Sequence, residues 1–142
     1  MIKLRSAIQE DAPDIVKLLE ELGYKSDFEI IRNRLSAIEK RNGVVIVAVN
    51  EKGEVSGCVH AFTDLRLAAG ETGEIASLVV KSEARGKGVG KKLVKEAMNR
   101  LAGMGCKKIR VRANGLREKA HQFYLGQGFR EIKSQKVFMA DI

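Results

Sequence analysis

The chain has 142 residues, 44% of them hydrophobic and 31% charged, with a formal net charge of +8. That length supports one ordinary domain with a buried core, and the balance of apolar and charged residues excludes a disordered chain. The longest apolar run, Val44–Val49, is far short of a membrane span; the charged N-terminus MIKLRSAIQED lacks an apolar signal segment; and two cysteines, Cys58 and Cys106, make no disulfide framework, so a reduced cytoplasmic setting is expected.

In chain order, Ile2, Leu4 and Ala7-Ile8 sketch an opening strand. Asp11 is placed to cap a helix whose first turn holds Pro13 and whose apolar face is Ile15, Leu18, Leu19 and Leu22, ending at Gly23. Asp27 starts a second helix with Ile30, Ile31, Leu35 and Ile38 on one face, up to Arg41-Asn42-Gly43. The β-branched run Val44–Val49 reads as a buried strand, Asn50–Gly53 as a hairpin turn, and Glu54 to about Phe62 as the next strand. Asp64–Thr72 reads as a loop or irregular strand. Glu74–Val80 forms a further strand, with Glu74 opening it.

A glycine-rich loop follows, ARGKGVG at 84–90. Beyond it Leu93, Val94, Ala97, Met98 and Leu101 give a helix face closed by Gly103-Met104-Gly105. Lys108–Ala113 alternates basic and apolar residues as a half-wet strand does. Leu116–Leu125 reads as a helix, and Phe129–Ile132 and Lys136–Met139 as two short final strands. No repeat, linker or low-complexity segment interrupts the chain. The pattern is a mixed α/β one: a sheet flanked by helices.

The glycine loop carries the chemistry. Strand, loop and helix in that order leave free N–H groups and a positive helix end at residues 85–92, an arrangement suited to anions, and glycines let backbone approach phosphate oxygens closely. The stretch is not a G-x-x-x-x-G-K-[ST] loop, because Lys92 follows Gly90-Lys91, nor a G-x-G-x-x-G loop, because Lys91 stands at the last glycine. An ordinary tight turn needs only one or two glycines; three, framed by basic residues, favour a phosphate site. Charge agrees: residues 1–80 hold 10 basic and 13 acidic side chains, whereas 81–142 hold 16 and 5. The C-terminal half is suited to an anionic partner, whether nucleic acid, membrane surface or phosphorylated ligand.

Arg85-Gly86-Lys87-Gly88-Val89-Gly90 matches the [QR]-x-x-G-x-[GA] signature of the GNAT superfamily of acyl-CoA-dependent N-acetyltransferases. The longer stretch EIASLVVKSEARGKGVGKKLV resembles that family's strand–loop–helix core, and AHQFYLGQGF (Ala120–Phe129) resembles its late helix and following strand. The resemblance spans nearly the whole chain and implies a single N-acetyltransferase domain over 1–142. Its expected fold is a central, mixed, mostly antiparallel sheet of six to seven strands with about four helices.

The resemblance also implies roles. Acetyl-CoA is the expected co-substrate, with no metal, and the other partner is an amine acceptor, small molecule or protein; a nucleic acid or membrane partner is not expected, and the chain is expected to be a monomer or homodimer. Backbone N–H groups of Gly86, Lys87, Gly88, Val89, Gly90 and Lys91, next to Arg85, would hold the pyrophosphate. Leu78, Val79 and Val80 would pair through their backbones with the pantetheine arm in a V-shaped gap between strands, and the Leu78 amide would polarise the thioester carbonyl. Tyr124 matches the tyrosine that protonates the departing thiolate, although an aromatic late in an amphipathic helix is more often a core residue. Glu74 is the first candidate for the base, Glu71 the second; a solvated strand-edge carboxylate or a water chain are the alternatives.

Many relatives carry an asparagine seven residues before the tyrosine, where this chain has Arg117; Asn114 lies three residues earlier. R-x-x-A-H-x-F-Y, met here at Arg117–Tyr124, is a variant found in members resembling aminoglycoside and aminoalkylphosphonate acetyltransferases. Asn114 or Arg117 is therefore expected to contact coenzyme A, while Arg117 and His121 could instead meet its 3′-phosphate or solvent. The rival functions are a basic nucleic-acid-binding domain, disfavoured by few aromatics and no recognition motif, and a non-catalytic acyl-CoA sensor. A zinc site from Cys58, His60, Cys106 and His121 lacks paired ligand spacing, and neither cysteine has an evident histidine partner for acyl transfer.

Overall fold

The computed structural model describes residues 1–113 and 118–142. Two compact units divide them, Met1–Val111 and Arg112–Ile142. The first contains β1 (Lys3–Ser6), α1 (Ala12–Glu21), α2 (Phe28–Lys40), β2 (Val44–Val49), β3 (Val55–Arg66), β4 (Gly70–Val80), α3 (Val89–Gly103) and β5 (Ile109–Val111). The five strands lie in sequence order, antiparallel from β1 to β4 and parallel between β4 and β5.

Strand alternation sorts the core into two faces. Cys58 and Val79 join Val47 and Val55 against Ala12, Ile15, Val16 and Leu18 of α1 and Ile31 of α2. Their neighbours Ile46, Val59 and Ile75 point the other way, toward Leu93, Val94, Ala97 and Leu101 of α3; all seven side chains are essentially inaccessible. Each fully buried Leu or Ile of this kind contributes about 1.5–3 kcal/mol by leaving water.

α3 lies close to the sheet because two glycines stand beneath it. A Cβ on Gly57 would come 3.0 Å from Leu93 Cδ1 and 3.1 Å from the Val79 carbonyl oxygen; on Gly73 it would come 2.8 Å from Leu101 Cδ1. Both glycines thus act by absence of bulk.

Helix and turn signals hold with one change of role. Asp27 caps α2, accepting a bond from Ile30 N at 2.9 Å, and Asn50 Oδ1 accepts from Lys52 N and Glu54 N to set the β2–β3 turn. Asp11 precedes α1, but its carboxylate faces back: it accepts from Ile8 N at 2.8 Å and both Arg5 terminal nitrogens at 2.8 and 2.9 Å. Burial works to raise the Asp11 pKa, yet these bonds outweigh it and hold the carboxyl below its ordinary value.

Two sequence expectations are corrected and a third is resolved. Of the two readings of Asp64–Thr72, loop or irregular strand, the strand holds: β3 runs to Arg66 and β4 begins at Gly70, with Arg66 opposite Gly70 and only 67–69 turning. Glu74 consequently sits inside β4 rather than opening it. Among the described residues the sheet has five strands, not six or seven, because Phe129–Ile132 and Lys136–Met139 are not strands there; backbone of strand-like composition becomes a strand only where another edge pairs with it.

In the second unit, α4 spans Glu118–Gly126 and a turn follows, with Gly128 at φ +90°. Tyr124 meets Phe123 and Phe129 edge to face, with ring centroids 5.1 and 5.5 Å apart.

Candidate functional site

β4 changes partners along its length. Gly73–Ile75 pair with Ile109–Val111 of β5, and the pairing stops there. On the β3 side, Ala61 opposes Ile75 while His60 opposes Ser77, leaving Ala76 as an extra residue. Such a bulge bends its strand and increases the local twist. From Ala76 to Val80, the edge of β4 facing away from β3 has no strand partner among the described residues. Of the three residues singled out there, Val79 is anchored in the α1–α2 core, whereas Leu78 and Val80 are half-buried.

The chain leaves β4 through a bond from Lys81 N to Ser56 O at 2.8 Å and one turn at Ser82–Ala84. Arg85 then reaches back, its Nε donating to the Val80 carbonyl at 2.9 Å and one terminal nitrogen lying 3.4 Å from Glu21 on α1. Gly86 (φ +77°) and Gly88 (φ +82°) both take the left-handed region that L side chains resist, and Gly88 is the residue before α3. Gly90 has no such φ and is the second residue of the helix.

The first helical bond runs from Lys92 N to Gly88 O, and no other backbone group bonds the N–H groups of Gly86 through Lys91 among the described residues. Val89 is buried against the face carrying Gly57, so it contributes an anchor and an amide, while Lys87 and Lys91 are exposed. Open N–H groups, a helix N-terminus and two flanking ammonium groups together form a surface for a multiply charged anion.

Glu74 is buried on the sheet, directly opposite Phe62 on β3 and Arg110 on β5. Arg110 Nε donates to its Oε1 at 2.7 Å, and Arg110 Nη2 also bonds Asp64 Oδ2 at 2.6 Å. Arg66 Nε completes the cluster on Asp64 at 2.7 Å. The Glu74 carboxylate first raises the Arg110 pKa; Arg66 first and then Arg110 hold Asp64 below its usual range. Glu71 is exposed, at a register position opposite Leu65.

His60 lies between Cys58 and Phe62 on the same sheet face, its ring 5.9 Å from that of Phe62, and burial lowers its pKa so that the imidazole is neutral at pH 7. Burial pushes the Cys58 thiol up to about 12 and raises that of Cys106, so neither supplies a thiolate nucleophile at neutral pH.

In the second unit, burial raises the Tyr124 pKa and keeps its hydroxyl protonated at neutral pH. Asn114 and Arg117 lie outside the described residues; His121 stands on α4. The structure therefore brings Leu78–Val80 and Arg85–Lys91 together at one end of β4, with Glu74 farther along the same strand. Gly57, Gly73, Asp64 and Arg110 carry no motif; the only available signal was a glycine inside each apolar strand.

No helix among the described residues is long and apolar enough to cross a membrane. The chain is 29% identical over 131 residues to the aminoalkylphosphonate N-acetyltransferase of Salmonella typhimurium, covering 91% of this chain and 85% of that one. Its fold superposes on glucosamine-6-phosphate N-acetyltransferase from Arabidopsis thaliana with a TM-score of 0.86 at 24% identity, covering 99% of each chain. AAC(6')-Iy, solved with the bisubstrate analog CoA-S-monomethyl-acetylneamine, superposes with a TM-score of 0.86 at 14% identity, over 100% of this chain and 99% of the other. Residues 5–129 match the model of the acetyltransferase (GNAT) family, and the chain belongs to that family.

Proposed function

We propose that residues 1–142 act as one cytoplasmic N-acetyltransferase domain that moves the acetyl group of acetyl-CoA directly to the primary amine of a small molecule. The observation that carries this reading is the continuous backbone surface at the end of β4: an unpaired strand edge at Ala76–Val80, then a loop with open N–H groups from Gly86 to Lys91. One suits an extended amide-bearing arm, the other a pyrophosphate, and acetyl-CoA joins the two. Asn114 or Arg117 would add a contact to the coenzyme.

In the reaction, the amine nitrogen attacks the thioester carbonyl carbon. The Leu78 N–H donates to the carbonyl oxygen as negative charge collects there. The C–N bond forms, the C–S bond breaks, and the thiolate takes a proton from the Tyr124 hydroxyl. The proton lost by the amine passes through water to Glu74, whose Oε1 is already committed to Arg110 and is therefore a relay end rather than a direct partner.

The acceptor we favour is a small amine that also carries an anionic group, with aminoalkylphosphonates first. Support comes from the 29% identical relative that bears that name and from the two arginines, Arg66 and Arg110, on the sheet face with Glu74. The test is thiol release from acetyl-CoA across a panel of aminoalkylphosphonates, aminoglycosides, amino sugars, amino acids and lysine peptides. Turnover confined to the phosphonates is expected; turnover only with peptides would overturn the acceptor assignment, and no binding of acetyl-CoA by calorimetry would overturn the whole reading. Tyr124→Phe should lower kcat while leaving coenzyme affinity near normal; unchanged kcat would remove its role as proton donor.

A further inference from the structure

In the reaction proposed above, the amine loses its proton beside the Leu78 amide and Glu74 is where that proton ends. The two residues are far apart on the sheet. Leu78 opposes Val59 and Glu74 opposes Phe62, so three strand steps, about 10 Å, separate them. A proton acceptor has to lie within one hydrogen bond or one water of its donor, and Glu74 is beyond that reach. Its Oε1 is also bonded by Arg110 at 2.7 Å.

His60 stands in the gap. It opposes Ser77, the residue before Leu78, and so lies one strand spacing and one step from the Leu78 backbone, about 6 Å. It is two residues from Phe62 on β3, which puts it on the same face as Glu74 and diagonal to it, about 7–8 Å away. The imidazole is half-buried and makes no hydrogen bond or ion pair among the described residues; its printed neighbour is the Phe62 ring at 5.9 Å. A histidine kept for structure normally spends a ring nitrogen on a neighbour, whereas here both nitrogens remain available.

We propose that the His60 imidazole takes the proton lost by the attacking amine and passes it on, through water, to Glu74. As the C–N bond forms, the N–H bond of the amine breaks and the proton moves to the unprotonated ring nitrogen; the imidazolium then releases it toward the carboxylate. This role rests on the acetyl transfer proposed above and adds the group that first receives the proton. The surroundings keep the imidazole ready. Val45 faces it from β2, and α1 and α2 cover this side of the sheet with Ile15, Leu18, Ile31 and Leu35. The titratable groups on the same side are the protonated Cys58 thiol, Asp11 held by Arg5, and Glu74 and Asp64 held by Arg110 and Arg66. Burial therefore decides, and it favours the neutral base at pH 7.

The test is the pH dependence of kcat for thiol release, at saturating acetyl-CoA and amine, beside an NMR titration of His60 in protein saturated with coenzyme A. The chain has two histidines, so the spectrum of His121→Gln assigns the His60 resonance. In the unaltered protein kcat should fall about tenfold per pH unit on the acid side, through the pH at which His60 titrates. His60→Gln keeps a polar side chain that cannot take a proton; it should lower kcat by about a hundredfold, remove the acid limb and leave coenzyme affinity unchanged. An acid limb that survives in His60→Gln, or one unrelated to the His60 titration, would overturn the role while acetyl transfer stood. No thiol release from the unaltered protein with any amine would overturn the transfer and this role with it. The profile and the titration use the unaltered protein, so they decide even if His60→Gln does not fold.

Discussion

Gly88→Ala separates a backbone cradle from a side-chain one. Gly88 sits at φ +82°, ψ 8°, and a Cβ built there meets no atom within 4 Å. Steric clash therefore contributes nothing, and the whole effect is the cost of holding an L-residue in the left-handed region, about 1–2 kcal/mol. That cost has two destinations. If packing of α3 enforces the turn in the free protein, it appears as lost stability, about 2–8 °C in melting temperature for a chain of this size. If the free loop relaxes and must be restored on binding, it appears as about a 5- to 30-fold weaker coenzyme affinity. Calorimetry with acetyl-CoA and a thermal melt of the free protein measure both, and the two losses together should account for the 1–2 kcal/mol.

The comparison variants have their own signatures. Lys87→Ala removes one exposed ammonium at the helix start, worth about 0.3–1 kcal/mol and reduced by salt. Arg85→Ala removes the bond to the Val80 carbonyl and should cost about 0.5–1.5 kcal/mol, part of it as stability, because that side chain ties the loop to β4. If Gly88→Ala bound acetyl-CoA and melted as the unaltered protein does, while Lys87→Ala lost more than about tenfold in affinity, the side chains and not the backbone would hold the pyrophosphate.

Gly57→Ala should cost about 1–3 kcal/mol in a melt, since the Val79 carbonyl oxygen 3.1 Å from the new methyl cannot turn aside; coenzyme affinity should fall with it, because Val89 at the loop's end packs on the same spot. Arg110→Gln leaves the buried Glu74 without its guanidinium and should destabilise by about 3 kcal/mol, and the double variant with Glu74→Gln should recover part of that; no recovery would mean the pair is not coupled. Asp11→Asn should cost about 2 kcal/mol at neutral pH by losing the charge-assisted bonds to Arg5 and Ile8. The folded-state pKa of Asp11 is lowered, so this stabilisation is complete above the ordinary aspartate value and is lost as pH falls through the lowered one. The stability difference between the two proteins should close in that acidic range, and a difference that persisted there would show that packing, not charge, is what Asn disturbs.

Local signals were legible where local physics decides. Val44–Val49 is a strand at its predicted bounds, Asp27 caps α2 through its own carboxylate, and the loop at 86–88 needed glycine because two residues there have positive φ. What failed depended on distant partners. Asp64–Thr72 reads as either loop or irregular strand, and it is strand up to Arg66 and from Gly70 because 70–72 pairs with 64–66 across a three-residue turn. Asp11 has cap chemistry, but Arg5, on a strand formed with β2, draws its carboxylate the other way. The two C-terminal runs have strand composition and no strand geometry, since pairing is a property of two segments. Glu74 was visible as a carboxylate on the strand before the glycine loop; Arg110, 36 residues away and bonded to it, was not.

In the proposed reaction most coenzyme binding falls to backbone groups: amides on the β4 edge and in the loop. A backbone site constrains conformation rather than side-chain identity, so selection acts on it through φ, bulges and close approach. The residues it restricts are then few and small. Gly86 and Gly88 are restricted by φ, Gly57 and Gly73 by the approach of α3, and the Ala76 bulge by register. Side chains elsewhere on the sheet face are left free to vary with the acceptor. The fold itself is shared with AAC(6')-Iy at a TM-score of 0.86 with only 14% identity. If the coenzyme is held by backbone as proposed, acceptor specificity falls to the face bearing His60, Phe62, Asp64, Glu74 and Arg110, where the groups are side chains and the charges are paired across three strands.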